Sequence, residues 1–223
     1  MNSIKIKVNI ALIFLYSISY SAISQEKGTS LPYYNSGEFT PHWLTPDSPE
    51  LNNFHRISDF KFINQDAQTV TSKTFSNKLY VANFFFTRCP GICPKMKSQL
   101  YKVQQKFKAN DNVMILSHSI QPSNDTVEIL KDYALKNNVM SQKWHLVTGI
   151  RDEIYSIARN DYFANEDLGE YVSNQDFLHT ENLILVDNNR RIRGIYNGLN
   201  KTSVSHLMVD IELLLTEMSA EQN

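Results

Sequence analysis

Apolar residues along this chain recur in a few distinct rhythms, and each rhythm predicts an element. Leu79 to Phe86 is a nearly continuous apolar run, the pattern of a strand covered on both faces in a partly parallel sheet. Ile92, Met96, Leu100, Val103 and Phe107 are spaced by four, four, three and four, which is one buried stripe of a helix ending near Asn110. Pro94 fits in the first turn of that helix, where a missing N–H costs little. Val113 to Ser117 predicts a second buried strand, and Asp125 or Thr126 can cap a helix from Val127 to Lys136. Trp144 to Val147 reads as a third strand, and Asp152 to Ala158 as a helix with an acidic first turn. Residues 160 to 177 are polar, with Glu166, Asp167 and Glu170, and predict a solvated loop. Asn182 to Val186 and Ile192 to Tyr196 flank the turn Asp187-Asn188-Asn189-Arg190 as a hairpin, and Leu207 to Leu215 sits in a closing helix. Upstream, short alternations from Phe54 to Ile63 and around Val70 and Phe75 predict a small hairpin.

Strand and helix alternate three times before the final hairpin and helix, which is an α/β order. Right-handed crossovers place the loop after the first long strand at the C-terminal edge of a central strand, where such sheets build their sites. The predicted architecture is a thioredoxin-like fold, a central mixed sheet flanked by helices with an N-terminal hairpin, over residues 54–220. Ahead of it, residues 25–53 hold four of the seven prolines, Pro32, Pro41, Pro46 and Pro49, interleaved with Tyr33, Tyr34, Phe39 and Trp43. Such a lead cannot be a helix; it predicts chain extended over the surface or a spacer, with the aromatics docking part of it on the domain. Residues 1–24 read as a secretory signal, with Lys5 and Lys7 ahead of an apolar stretch and Ala22-Ile23-Ser24 at the cleavage site. An uncleaved anchor is the alternative, and would be the only membrane contact. Export implies the periplasm or the outer face of the inner membrane.

A net charge of −1 and 42% hydrophobic content describe an ordinary globular chain, with no basic excess to suggest nucleic acid. The chemistry concentrates in the two cysteines, Cys89 and Cys93, in the loop between the first long strand and its helix. A helix N-terminus and the cations Arg88, Lys95 and Lys97 predict a lowered pKa for these thiols. Three readings follow from such a pair. A structural disulfide is the default in an oxidising compartment, but so short a loop closes little chain entropy. Thiol-disulfide exchange, as in an oxidoreductase or thiol peroxidase, needs no metal. A soft metal is the third: two cysteines are too few for structural zinc, whereas copper(I) is well served by two thiolates and an imidazole.

Six histidines offer that imidazole. His42 and His55 read as surface residues, His145 as part of a strand, and His206 as opening the last helix. His118 follows a strand end on the cysteine side of the sheet and is a credible neighbour. His179 directly precedes the fifth strand, at the loop facing the cysteine turn in a thioredoxin-type sheet. Oxidoreductases of that type place a proline there, but this chain has none after Pro122, which favours a ligand role for His179. Met96 belongs to the helix stripe and reads as core.

The segment Thr87-Arg88-Cys89-Pro90-Gly91-Ile92-Cys93-Pro94 resembles the T-x-C-P-x-x-C-P motif of the Sco (SenC) proteins, copper chaperones for the binuclear copper centre of cytochrome c oxidase. Ser119 to Thr126 is similar to the S-x-x-P-x-x-D-T stretch of those proteins, and Trp144 to Gly149 to their W-x-x-x-T-G pattern. The resemblance covers Phe54 to Glu217. It implies a copper ion held by Cys89, Cys93 and His179, with the same cysteines as the redox pair. It also implies a chaperone rather than an enzyme, and the copper-bearing oxidase subunit as partner, alongside other copper chaperones or thioredoxin-like reductants. Two positions depart from the family: Gly91 and Leu178 stand where acidic residues are common, removing charge that orients ligands.

Overall fold

The computed structural model describes residues 30–164 and 180–221. A seven-stranded sheet forms the centre, with β1 (Lys61–Asn64), β2 (Thr69–Thr71), β3 (Leu79–Phe85), β4 (Val113–Ser119), β5 (Trp144–Thr148), β6 (Asn182–Val186) and β7 (Ile192–Asn197). Its order is β2-β1-β5-β4-β3-β6-β7. The middle strands β5, β4 and β3 are mutually parallel, whereas both flanking hairpins join antiparallel. Among the described residues four α-helices flank it: α1 (Cys93–Lys106), α2 (Val127–Lys136), α3 (Arg151–Asn160) and α4 (Lys201–Glu221). This is the predicted mixed sheet with an added N-terminal hairpin. The hairpin is shorter than predicted, because Phe54 to Phe60 is not strand and Phe75 closes a 3-10 turn, Ser72–Phe75.

Every residue of β3, β4 and β5 is buried, so side-chain alternation divides them between two cores. Leu79, Val81, Phe85, Val113, Ile115, Trp144 and Leu146 face one core with Cys93, Met96 and the apolar stripe of α4. Tyr80, Ala82, Phe84, Met114, Leu116 and Val147 face the other, with α3 and the first hairpin. Thr126 caps α2 as predicted, its Oγ1 accepting from the Ile129 N–H at 3.4 Å.

The lead is docked rather than loose. Tyr33 pairs with His42, and Tyr34 bridges to Ile192 at the outer edge of β7. Arg193 is 2% exposed; it donates to the carbonyls of Leu31 (2.8 Å) and Pro32 (3.2 Å), covers the Tyr33 ring at 3.9 Å, and pairs with Glu217 at 2.7 Å. Arg191 likewise donates to Leu51 at 2.9 Å. Contrary to the expectation of no helix in this lead, Pro49–Asn53 forms one 3-10 turn, which tolerates the proline at its start because an N–H at that position would have no helical partner. Residues 161–164, expected in a solvated loop, are anchored instead. Tyr162 is fully buried with its hydroxyl 3.1 Å from that of Tyr80, and Asp161 accepts from Ser58 Oγ at 2.7 Å. The rest of that loop, with Glu166, Asp167 and Glu170, lies outside the described residues, as do residues 1–29 and the expected leader. Among the described residues no helix is long and apolar enough to cross a membrane.

Candidate metal centre

β3 delivers the chain to the C-terminal edge of the sheet, where Thr87 to Ile92 turn into α1. Cys93 and Pro94 are the first two residues of the helix, and Ile92 at its N-cap supplies no side-chain acceptor. The N–H groups of this helix start are therefore free of a conventional cap. They serve sulfur instead. Burial alone would raise the Cys89 pKa, but hydrogen bonds from the Cys93 thiol and from the backbone of Cys93, Gly91 and Ile92 outweigh it and lower the pKa.

Cys93 behaves oppositely. It is 7% exposed, and burial together with its hydrogen bond to Cys89 pushes its pKa up to about 12. The expectation of two lowered thiols is thus corrected to an asymmetric pair, one accessible and activated, one buried and protonated. The cause also differs from that expected. Backbone and thiol hydrogen bonds lower Cys89, whereas Arg88 and Lys95 are exposed and Lys97 donates to Asn137 Oδ1.

The loop is held from the side by Asp125, which is 1% exposed at the start of the α2 segment. Its carboxylate accepts from Thr87 N at 3.1 Å, Thr87 Oγ1 at 2.5 Å and Ser119 Oγ at 2.5 Å. The threonine of the cysteine motif and the serine and aspartate of the downstream motif are therefore one hydrogen-bonded bracket.

Behind Cys93 a cavity of ≈ 10 Å³ is bordered by Asn83, Met96, Ser117, Tyr133 and Trp144. Trp144 Nε1 donates to Ser117 Oγ at 2.7 Å, and Ser117 Oγ donates to Asn83 Oδ1 at 2.5 Å. Burial and the nearby Cys93, Asp125 and Cys89 raise the Tyr133 pKa. Sequence reasoning did not single out Asn83, Ser117 or Tyr133. Asn83 carried a signal, being the one amide inside an otherwise apolar run. Met96 is 1% exposed within the core, as its stripe predicted.

His118 is not a neighbour of the cysteines. The second strand runs two residues past its apolar segment, so His118 lies inside β4, and alternation turns it to the opposite face from Ser117 and Ser119. There it stacks on Phe84 with 5.2 Å between centroids and meets Phe62 at 5.4 Å. It is completely buried, neither ring nitrogen has a partner among the described residues, and burial lowers its pKa to about 3. His145 is bound to Asn64 at 3.1 Å, and His55 Nε2 is 2.7 Å from the Asp161 carbonyl oxygen. His42 packs edge-on against Phe54, while His206 is exposed in the second turn of α4 rather than opening it.

His179 and Leu178 lie outside the described residues. The chain resumes at Thr180, and β6 runs antiparallel to β3 in the register Ala82↔Ile184, so β6 starts at the sheet edge where β3 ends. Among the described residues no group of three or more His, Cys, Asp or Glu side chains is arranged to hold a metal.

Fold and site together define a class: a thioredoxin-like domain bearing an asymmetric CxxxC dithiol at a helix N-terminus. The SCO1/SenC family model matches residues 49–215, and the chain belongs to that family. It is 28% identical over 163 residues to the SCO1 protein homolog of Bacillus subtilis, covering 71% of this chain and 82% of that one. A SCO1/SenC family lipoprotein from Bacillus anthracis superposes with a TM-score of 0.63 at 27% identity, covering 72% of this chain and 95% of the other. Copper-bound ScoI from Arabidopsis thaliana gives a TM-score of 0.55 at 25% identity, covering 70% and 97%.

Proposed function

We propose that the protein carries copper on Cys89, Cys93 and His179, and delivers it to, or reduces the cysteines of, the binuclear copper site of cytochrome c oxidase. Copper is cargo in this reading, held until a recipient with its own thiolates takes it. The observation that carries the proposal is the asymmetric dithiol at the C-terminal edge of β3, the edge at which β6 begins at Asn182, directly after Thr180 and Glu181. Two sulfurs and one neutral imidazole are a donor set suited to copper(I). The copper-bound Arabidopsis relative supports copper as the cargo. Gly91 leaves open space at the loop, where a Cβ would meet nothing within 4 Å, so glycine there removes side-chain charge without changing access to the sulfurs. Export to the periplasm or the outer face of the inner membrane fits a protein that meets an oxidase subunit there.

Competition between the reduced protein and a copper(I) chelator tests this directly. Cys89→Ser, Cys93→Ser and His179→Ala should each weaken binding, the cysteine variants most. Unchanged binding in His179→Ala would leave a dithiol without a third ligand.

A second reading rests on the same asymmetry: an activated, partly exposed Cys89 beside a buried Cys93 also suits metal-independent thiol-disulfide exchange. A structural neighbour, BsSco, is described by a disulfide switch and as a member of a family of cytochrome c oxidase assembly proteins; its TM-score is 0.61 at 27% identity. Rapid insulin reduction that survives His179→Ala would favour this second reading.

A further inference from the structure

We propose that the cysteine loop and the outer stripe of α1 form a docking face for an acidic protein surface. That this partner exchanges copper or electrons with Cys89 and Cys93 rests on the function proposed above; the docking face itself does not. No aspartate or glutamate occurs between Asp66 and Asp111, whereas the same stretch holds eight lysines and arginines, in a chain whose net charge is −1. Of these cations, Arg88, Lys95 and Lys97 flank the cysteines and Lys102 and Lys106 continue along α1, whereas Lys73 and Lys78 precede β3.

On α1, Lys95, Lys102 and Lys106 are separated by seven and four residues, which aligns them in one stripe running away from Cys93. All three are exposed, as is Arg88 one residue before Cys89. Lys106 is paired with Glu212 at 2.9 Å, while Lys102 reaches only the neutral Gln99 at 3.0 Å. Among the described residues Arg88, Lys95, Lys97 and Lys102 have no carboxylate within ion-pair distance. Asp125, the acid nearest the loop in the hydrogen-bond network, is buried and committed to Thr87 and Ser119. Gly91 adds no charge at the tip of the loop, where a side chain would meet nothing within 4 Å. A cationic stripe of this kind attracts an anionic partner, speeds encounter and repels cationic ones, and salt screens it.

Small disulfides of known charge probe that field at the cysteines themselves. Glutathione disulfide is anionic at neutral pH, cystamine cationic and bis(2-hydroxyethyl) disulfide neutral. In each reaction the Cys89 thiolate attacks one probe sulfur, breaking the probe S–S bond and releasing a first thiol. Cys93 then gives up its proton and attacks Cys89 Sγ, releasing the second thiol, so two electrons pass from the protein to the probe. Raising salt from about 10 mM to about 500 mM should slow the anionic probe about threefold or more, speed the cationic one and leave the neutral one unchanged. A poly-glutamate peptide should inhibit at low salt, and poly-lysine should not.

In the full chain, Lys95→Glu combined with Lys102→Glu should reverse the preference between the charged probes. Both sites are exposed, so folding should be retained, and Lys73→Glu, exposed near the start of β3, should leave the preference as it is. Equal salt responses for all three probes, or a preference untouched by the double variant, would overturn the docking face. Copper(I) affinity measured on the same proteins separates the two claims. Retained charge preference with no copper binding keeps the face and removes the copper role; copper binding without charge preference does the reverse.

Discussion

Removing the Asp125 carboxylate should damage the site through its scaffold. Three donors converge on this buried group: the Thr87 N–H, the Thr87 hydroxyl and the Ser119 hydroxyl. In Asp125→Ala each loses its acceptor where water cannot easily replace it. Hydrogen bonds to a charged group contribute about 1.5–3 kcal/mol each and are not additive, so a total loss of about 3–5 kcal/mol is expected. Asp125→Asn keeps the shape but turns one accepting oxygen into a donor, and should cost about 1–3 kcal/mol. The functional effect should exceed what stability alone predicts, because Thr87 starts the turn whose amides bind Cys89. With that turn loosened, Cys89 loses part of the hydrogen bonding that lowers its pKa. Urea unfolding gives the first quantity, and the pH profile of iodoacetamide alkylation at Cys89 gives the second. In Asp125→Asn the alkylation midpoint should move to higher pH, and copper(I) affinity should fall about tenfold, equivalent to about 1.4 kcal/mol. If Asp125→Ala unfolds at the wild-type urea midpoint, or if both variants are destabilised while the alkylation profile stays put, the bracket does not control the cysteine.

The pKa shifts give further expectations. Cys93 is protonated at neutral pH, so copper binding should release at least about one proton, and affinity should weaken as pH falls; buffer-dependent calorimetry measures the release. His118 has a folded pKa of about 3, below its unfolded value, so it favours the native state above pH 6.5, and that contribution is lost as pH falls toward 3. Between pH 7.5 and 4.5 the wild type should therefore lose about 3 kcal/mol more than His118→Leu, a difference that urea titrations at the two pH values would reveal. Arg193→Met should leave the Leu31 and Pro32 carbonyls and Glu217 without their partner, costing about 3–5 kcal/mol and exposing the lead to proteolysis. Limited chymotrypsin digestion, for which the lead offers Tyr33, Tyr34, Phe39 and Trp43, would show faster cleavage there in the variant than in the wild type.

Much of the fold was legible because the strands at its centre carry long apolar runs and its helices carry apolar stripes. α2 occupies the predicted Val127–Lys136, and the hairpin of β6 and β7 departs from prediction only by Asn197. Less was legible where polar residues continue a buried strand. Ser117, His118 and Ser119 look like a strand end, yet β4 includes all three because hydrogen bonds satisfy the serines. That extension reversed the side on which His118 sits. The cysteines stood out by their spacing, but burial, which sets the opposite pKa directions of Cys89 and Cys93, depends on packing from distant segments. The Thr87–Asp125 contact spans 38 residues. Asp125 was visible as a motif member and a candidate helix cap, and only the folded chain shows it spent on the loop.

The uncapped start of α1 ties the backbone to the sulfur. Because the amides of Gly91, Ile92 and Cys93 point at Cys89, the strength with which they are held follows the electron density on that atom. A thiolate grips them most firmly, a metal-bound sulfur less, and a disulfide sulfur least. Deuterium uptake at these three amides thus becomes an internal gauge of cargo and oxidation state, readable without labelling either cysteine.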